Sequence, residues 1–153
     1  MIRINIVAVG KLKEKYWKDA ISEYSKRMQK YFNLNIIEVN EYSNSKNIEV
    51  IKEQEGQAIL SKVKGKTVLL DIKGDLVSSE DLSSFIEESA VKGESEITFI
   101  IGGSNGVSEQ VKDKSDKIIS FGKVTYPHQM TRLILIEQIY RAGTIMNNES
   151  YHK

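Results

Sequence analysis

The sequence predicts an α/β domain, a mostly parallel sheet covered by helices on two sides, formed by a single chain of 153 residues. Three observations predict it. Short apolar runs alternate with longer amphipathic stretches from one end to the other. Two of those runs, 67–71 (TVLLD) and 97–101 (ITFII), are apolar almost without interruption, as strands buried on both faces are. Glycines collect where the apolar runs stop, which is where a strand hands over to a helix.

Taken in order, residues 2–9 read as a strand, with Ile2, Ile4 and Ile6 alternating before Val7-Ala8-Val9, and Gly10 ends it. Residues 13–30 read as a helix whose inner face carries Trp17, Ala20, Ile21, Tyr24 and Met28, with Lys15, Lys18, Ser22 and Lys26 opposite. A short strand follows at 35–39, then a polar loop at 43–47. Asn47 caps a helix to about residue 64, with Ile48, Ile51, Ala58, Ile59 and Val63 inside and Gly56 as its weak point. The strand at 67–71 turns at Lys73-Gly74. Ser78 and Asp81 have the spacing of a capping box that opens a helix to about Lys92, and Gly93 closes it. After the strand at 97–101, Ser108 caps a short helix, and Ile118, Ile119 and Ser120 form a brief fifth strand. Pro127, the single proline, stands where a first helical turn accepts it, and that helix runs to about Met146.

Composition excludes several classes. With no cysteine there is no disulfide, thiolate zinc site or cysteine nucleophile, and the chain suits a reducing cytoplasm. The N-terminal apolar run is interrupted by Arg3 and Asn5, unlike a signal peptide, and no run approaches the ~18 apolar residues of a membrane span. The net charge is +1, yet residues 1–32 hold eight Lys/Arg against three acids. That asymmetry fits an anionic partner, and fits a solvated helix face equally well.

The sequence Gly102-Gly103-Ser104-Asn105-Gly106 follows the fourth strand. Open parallel sheets bind ligands beyond the carboxyl ends of their strands, and glycine permits close backbone approach there. A tight turn accounts for one or two glycines, and the third favours a ligand. A phosphate loop needs Lys and Ser/Thr after the glycines, but Gly106 is followed by Val107-Ser108. A dinucleotide fingerprint needs an acid about 20 residues on, and Ser120-Phe121-Gly122-Lys123 supplies none.

The last helix is apolar nearly all round: Met130, Leu133, Ile134, Leu135, Ile136, Ile139, Ile145 and Met146. This favours burial against a second subunit over a central core position. His128 and His152 are too isolated for a metal site. Arg132 and Arg141 suit phosphate or a snorkelling position. The ending Tyr151-His152-Lys153 can stack on a base and touch phosphate, or simply fray.

Taken together, VAVGKLKEKYW (7–17), FIIGGSNGV (99–107), TYPHQMTRLILIEQIYRA (125–142) and the terminal YHK closely resemble the ribosomal large subunit methyltransferase H family within the SPOUT superfamily. The likeness spans essentially the whole chain. It implies a three-layer α/β/α fold with a deep C-terminal trefoil knot over about residues 67–153, an arrangement that generic topology rules would not predict. It implies a homodimer that methylates N3 of pseudouridine 1915 in 23S rRNA, with the assembled 70S ribosome as substrate and no metal. The cofactor implied is S-adenosyl-L-methionine (AdoMet), touched by Leu70, Gly102 and the segment Phe121, Gly122, Lys123, Val124, Thr125 and Tyr126. Arg132, Tyr151, His152 and Lys153 would position or stabilise the target, His128 would support the cofactor loop, and Lys15, Lys18 and Lys26 would meet rRNA phosphates. The alternatives are a Rossmann-like nucleotide-binding oxidoreductase and a ribosome-binding module without chemistry.

Overall fold

The computed structural model describes all residues, Met1–Lys153. Five strands, β1 (Arg3–Val9), β2 (Asn33–Val39), β3 (Lys66–Leu76), β4 (Glu96–Ile101) and β5 (Lys117–Ser120), form one sheet in the order β2-β1-β4-β3-β5, every pair parallel. The connections are helices: α1 (Lys15–Met28), α2 (Ile48–Leu60), α3 (Ser79–Val91) and α4 (Glu109–Lys114), with α5 (His128–Met146) after the last strand. Because strand side chains alternate between faces, β1 divides its residues between two cores. Ile4, Ile6 and Ala8 join Val68, Phe99 and Ile119 beneath α1, α3 and α5, while Val7 and Val9 join Leu69 and Ile100 beneath α2 and α4. This is the three-layer α/β arrangement that the alternating elements predict.

The caps act as the sequence indicates. Asn47 accepts the amide of Glu49 at 3.0 Å, and Ser78 and Asp81 satisfy each other's backbone N–H groups in a capping box.

Three expectations need correction. Lys73-Gly74 does not end β3. The strand resumes, and after residues 71–74 bulge out, Asp75 and Leu76 pair with Ile119 and Ser120. A Cβ on Gly74 would stand 2.8 Å from β5 backbone, so glycine here allows the two strands to approach. Ile48, expected inside, is 51% exposed because it occupies the first turn of α2, ahead of the buried face. Gly56 is a packing contact and not a weak point: a Cβ would stand 2.6 Å from Ser108 Oγ, so α2 lies close upon the start of α4. On α5, which lies on the sheet between α1 and α3, Leu135, Ile136, Ile139 and Ala142 are fully buried within the chain, while Met130, Leu133, Ile134, Ile145 and Met146 remain half-buried.

Candidate cofactor site at the carboxyl ends of the strands

Three turns converge. The bulge after Leu70, the glycine loop after Ile101 and the turn after Ser120 enclose one cleft of about 260 Å³. Adjacency in the sheet brings them together, since β3 lies between β4 and β5 and all three strands run the same way. Leu70, Ile101, Val107, Ile119 and Phe121 give it apolar walls, and Asp71, His128 and Thr131 contribute polar side chains. Of the residues expected at a cofactor, Leu70, Gly102, Phe121, Gly122, Val124, Thr125 and Tyr126 line the cleft. Lys123 does not, and its side chain faces solvent.

The glycines work differently from one another. A Cβ on Gly102 would stand 2.6 Å from Val107 Cγ1, and one on Gly103 would stand 2.7 Å from Glu55 Oε1. Both therefore need glycine because the loop packs on itself and on α2, and their backbones are left facing the cavity. Gly122 has φ +131° with nothing within 4 Å of a Cβ, so there the backbone conformation alone requires glycine. Ser120 stabilises that turn: its hydroxyl donates to the carbonyl of Gly122 at 2.9 Å and accepts the Gly122 amide at 3.2 Å. Such a cradle, backbone and apolar wall with few charges, fits a nucleoside-bearing cofactor better than a polyphosphate.

A model of the family described as "Predicted SPOUT methyltransferase" matches residues 2–152, nearly the whole chain. The chain belongs to the SPOUT methyltransferase family. Among solved structures, its fold is similar to that of a "probable methylase family protein" from Haemophilus influenzae Rd KW20. That match has a TM-score of 0.55 at 11% identity, and it covers 99% of this chain and 71% of the other. Members of the SPOUT methyltransferase family are methyl-transferring enzymes, which gives the cleft its chemical context.

The other expected site residues lie outside this SPOUT cleft. Arg132 is buried: Nη1 donates to Glu38 Oε2 at 2.6 Å, Nη2 donates to the Gly10 carbonyl at 3.3 Å, and Nε finds no acceptor. The Tyr151 hydroxyl donates to Glu137 Oε2 at 2.8 Å, and its ring meets Tyr140 edge-on and lies beneath Arg141. Burial, then the bond to Glu137, pushes that hydroxyl's pKa upward, which makes it a donor and not a base. His152 lies between Arg141 Nη1, 3.2 Å from Nδ1, and Glu80, which contacts Nε2. The hydrogen bond from His152 holds the Glu80 carboxyl below its ordinary range. Lys153 is exposed. Lys15, Lys18 and Lys26 are all exposed on α1, and Lys15 also pairs across the helix surface with Asp19 at 2.6 Å.

Several features escape sequence reasoning. Asp71 and Ile72 reach the cleft only through the bulge, and no motif marks them, while Thr131 reaches it from the first turn of α5, inside the 125–142 motif but with no role assigned to it there. Glu55, buried beneath Gly103, has only its position on the inner face of α2 to betray it. No helix is long and apolar enough to cross a membrane, and no three acidic or histidine side chains gather as metal ligands.

Proposed function

We propose that the protein transfers a methyl group from AdoMet to N3 of a pseudouridine in 23S rRNA, acting as a homodimer on the assembled ribosome. The observation that carries the reading is the convergence of the three turns on one cleft lined by glycine backbone and apolar side chains. When bound, the cofactor supplies an electrophilic methyl on a sulfonium. The remaining requirements fall on the chain. Leu70, Ile101, Ile119 and Phe121 exclude water, the backbones of Gly102 and Gly122 approach the nucleoside, and the 121–126 segment closes over it. His128, at the start of α5, supports that segment. The acceptor nitrogen must shed its proton, after which alignment in near-attack geometry supplies roughly 7–11 kcal/mol of the barrier reduction.

The tail residues support the dimer. Tyr151 is fastened to Glu137, six positions along α5 from Thr131 at the cleft, or about 9 Å of helical rise from it. Exposed Ile72, Leu76 and Val124 lie on or beside the cleft's rim, where a second copy would cover them. In a homodimer the tail of one protomer, with Tyr151, His152 and Lys153, meets a nucleotide held over the cleft of its partner. Lys18 and Lys26 face outward for backbone phosphates, and Arg132 positions the α5 entrance by joining it to β1 and β2. The oxidoreductase alternative is less well supported: in a Rossmann sheet the third strand lies outside the second, whereas β3 lies between β4 and β5.

The test is incubation of 50S and 70S particles with labelled AdoMet and purified protein, followed by mapping of the label. Label confined to N3 of one pseudouridine in 70S-derived 23S rRNA is expected. Bound cofactor with no label in either particle would leave the non-catalytic reading standing instead.

A further inference from the structure

Glu55 is 3% exposed on the inner face of α2. Its Oε2 accepts the Tyr42 amide at 3.0 Å, and its Oε1 is buried with no partner. Buried carboxylates normally satisfy both oxygens, so an orphaned one calls for an explanation. Its position suggests one. The same Oε1 lies 2.7 Å from where a Cβ on Gly103 would stand, and Gly103 lines the candidate cofactor cleft. One residue without a side chain separates the carboxyl from the cavity.

No fixed cation answers it. On its own helix, Lys52 lies 3.5 Å from Glu49. The 40–42 segment contributes Glu41, which is repulsive, and α5 contributes His128, which is attractive. Arg132 is committed to Glu38, β1 contributes apolar Val9, and the glycine loop has no charge. Burial pushes the Glu55 carboxyl above its ordinary range, and the Tyr42 amide and His128 offset only part of that.

We propose that Glu55 is the buried counter-charge of the cleft, a specificity residue that favours a cationic sulfonium donor over its neutral thioether product. The inference rests on the AdoMet reading above. A cation entering the cavity stabilises the ionised carboxyl, and by linkage the ionised carboxyl tightens the cation's binding. In the transfer, the acceptor nitrogen bonds the methyl carbon, and the sulfur retains the electron pair of the broken C–S bond and becomes neutral. The counter-charge then has nothing to oppose, and the product is held less tightly.

The test is calorimetric binding of AdoMet and of S-adenosylhomocysteine to the full chain. The wild type binds AdoMet more tightly than the product. Glu55→Gln reduces the AdoMet preference about tenfold, the equivalent of one pKa unit of coupling. Glu55→Asp, which keeps the charge, retains the preference in part, and it serves as the comparison should Glu55→Gln fold poorly. A brace without electrostatic effect would weaken both ligands equally. An unchanged ratio in the Gln variant overturns the proposal. Failure of the wild type to bind either nucleoside overturns the cofactor reading itself, so the two failures are distinguishable.

Discussion

Nη1 of Arg132 lies 2.6 Å from Oε2 of Glu38, so the entrance of α5 is held to the end of β2 by an ion pair. The two partners are unequal, since the arginine side chain is 4% exposed and the glutamate 36%. Their removal should therefore be unequal too. Glu38→Gln strands a buried guanidinium and should cost about 2 kcal/mol, with water screening part of the larger loss typical of broken buried pairs. Arg132→Met keeps the packing of the stem and leaves Glu38 free to rehydrate, so it should cost less. Urea unfolding of the two variants checks the order. The reverse order would mean that the guanidinium is stabilised by the Gly10 carbonyl more than by its charge partner.

The glycine loop separates two kinds of glycine requirement. At Gly102 a side chain would be driven into Val107, 2.6 Å away, so Gly102→Val should overpack the loop by about 1–3 kcal/mol and eliminate measurable AdoMet binding. Because the obstruction is a neighbouring side chain, Gly102→Ala combined with Val107→Ala should recover much of the affinity lost by Gly102→Ala alone. Calorimetry on the three variants tests this. If the double variant is no better, the requirement lies with the ligand's approach and not with the loop's own packing.

At Gly122 there is nothing to collide with, and the cost is one of backbone conformation at φ +131°. Gly122→Ala should destabilise by about 1–3 kcal/mol, and no second-site truncation should relieve it. Thermal unfolding of the variant alone and with Val124→Ala distinguishes strain from crowding.

The layers of the fold were legible because each rests on local chemistry. Alternating apolar faces place β1 between two cores, and Asn47 and Ser78 announce their helices through side chains that reach backbone amides two or three residues on. The glycine loop and the 121–126 turn were legible as sites because glycine at the end of a strand has few other uses. What stayed hidden depends on distant partners. The resumption of β3 after Gly74 is decided by β5, some 45 residues later in the chain. Arg132 reads as a free cation until Glu38 is folded against it, and Tyr151 and His152 read as a frayed tail until Glu137, Arg141 and Glu80 receive them.

The tail's attachment carries its own pH dependence. The Glu80 carboxyl is held below its ordinary range chiefly by His152. A depressed carboxyl contributes fully above the ordinary glutamate value, and its contribution is lost as pH falls through the depressed one. Amide exchange over residues 147–153 should thus be slower in the wild type than in Glu80→Gln near neutral pH. The difference, taken at matched pH, should vanish in acid. No difference at either pH would assign the attachment to Tyr151 and Glu137 alone, and a difference that persists in acid would mean that Glu80 holds the tail without its charge.

Glu55 predicts the opposite slope. Its carboxyl is raised by burial, so between the ordinary glutamate value and the raised one the folded chain binds more protons than the unfolded chain. Stability from this group is greatest in acid below the ordinary value, declines as pH rises through the raised one, and is level beyond it. Glu55→Gln has no proton to lose, and its amide oxygen can still accept the Tyr42 N–H. The variant's urea midpoint should therefore fall less with rising pH than the wild type's, with the two curves diverging across that interval. Gly103→Ala, which presses a methyl toward Oε1, should lower the midpoint in both backgrounds, and less in Glu55→Ala, where the space is vacated. Parallel pH curves for wild type and Glu55→Gln would mean that the carboxyl finds a hydrogen-bond donor on its free oxygen, and that its burial costs nothing that titration can recover.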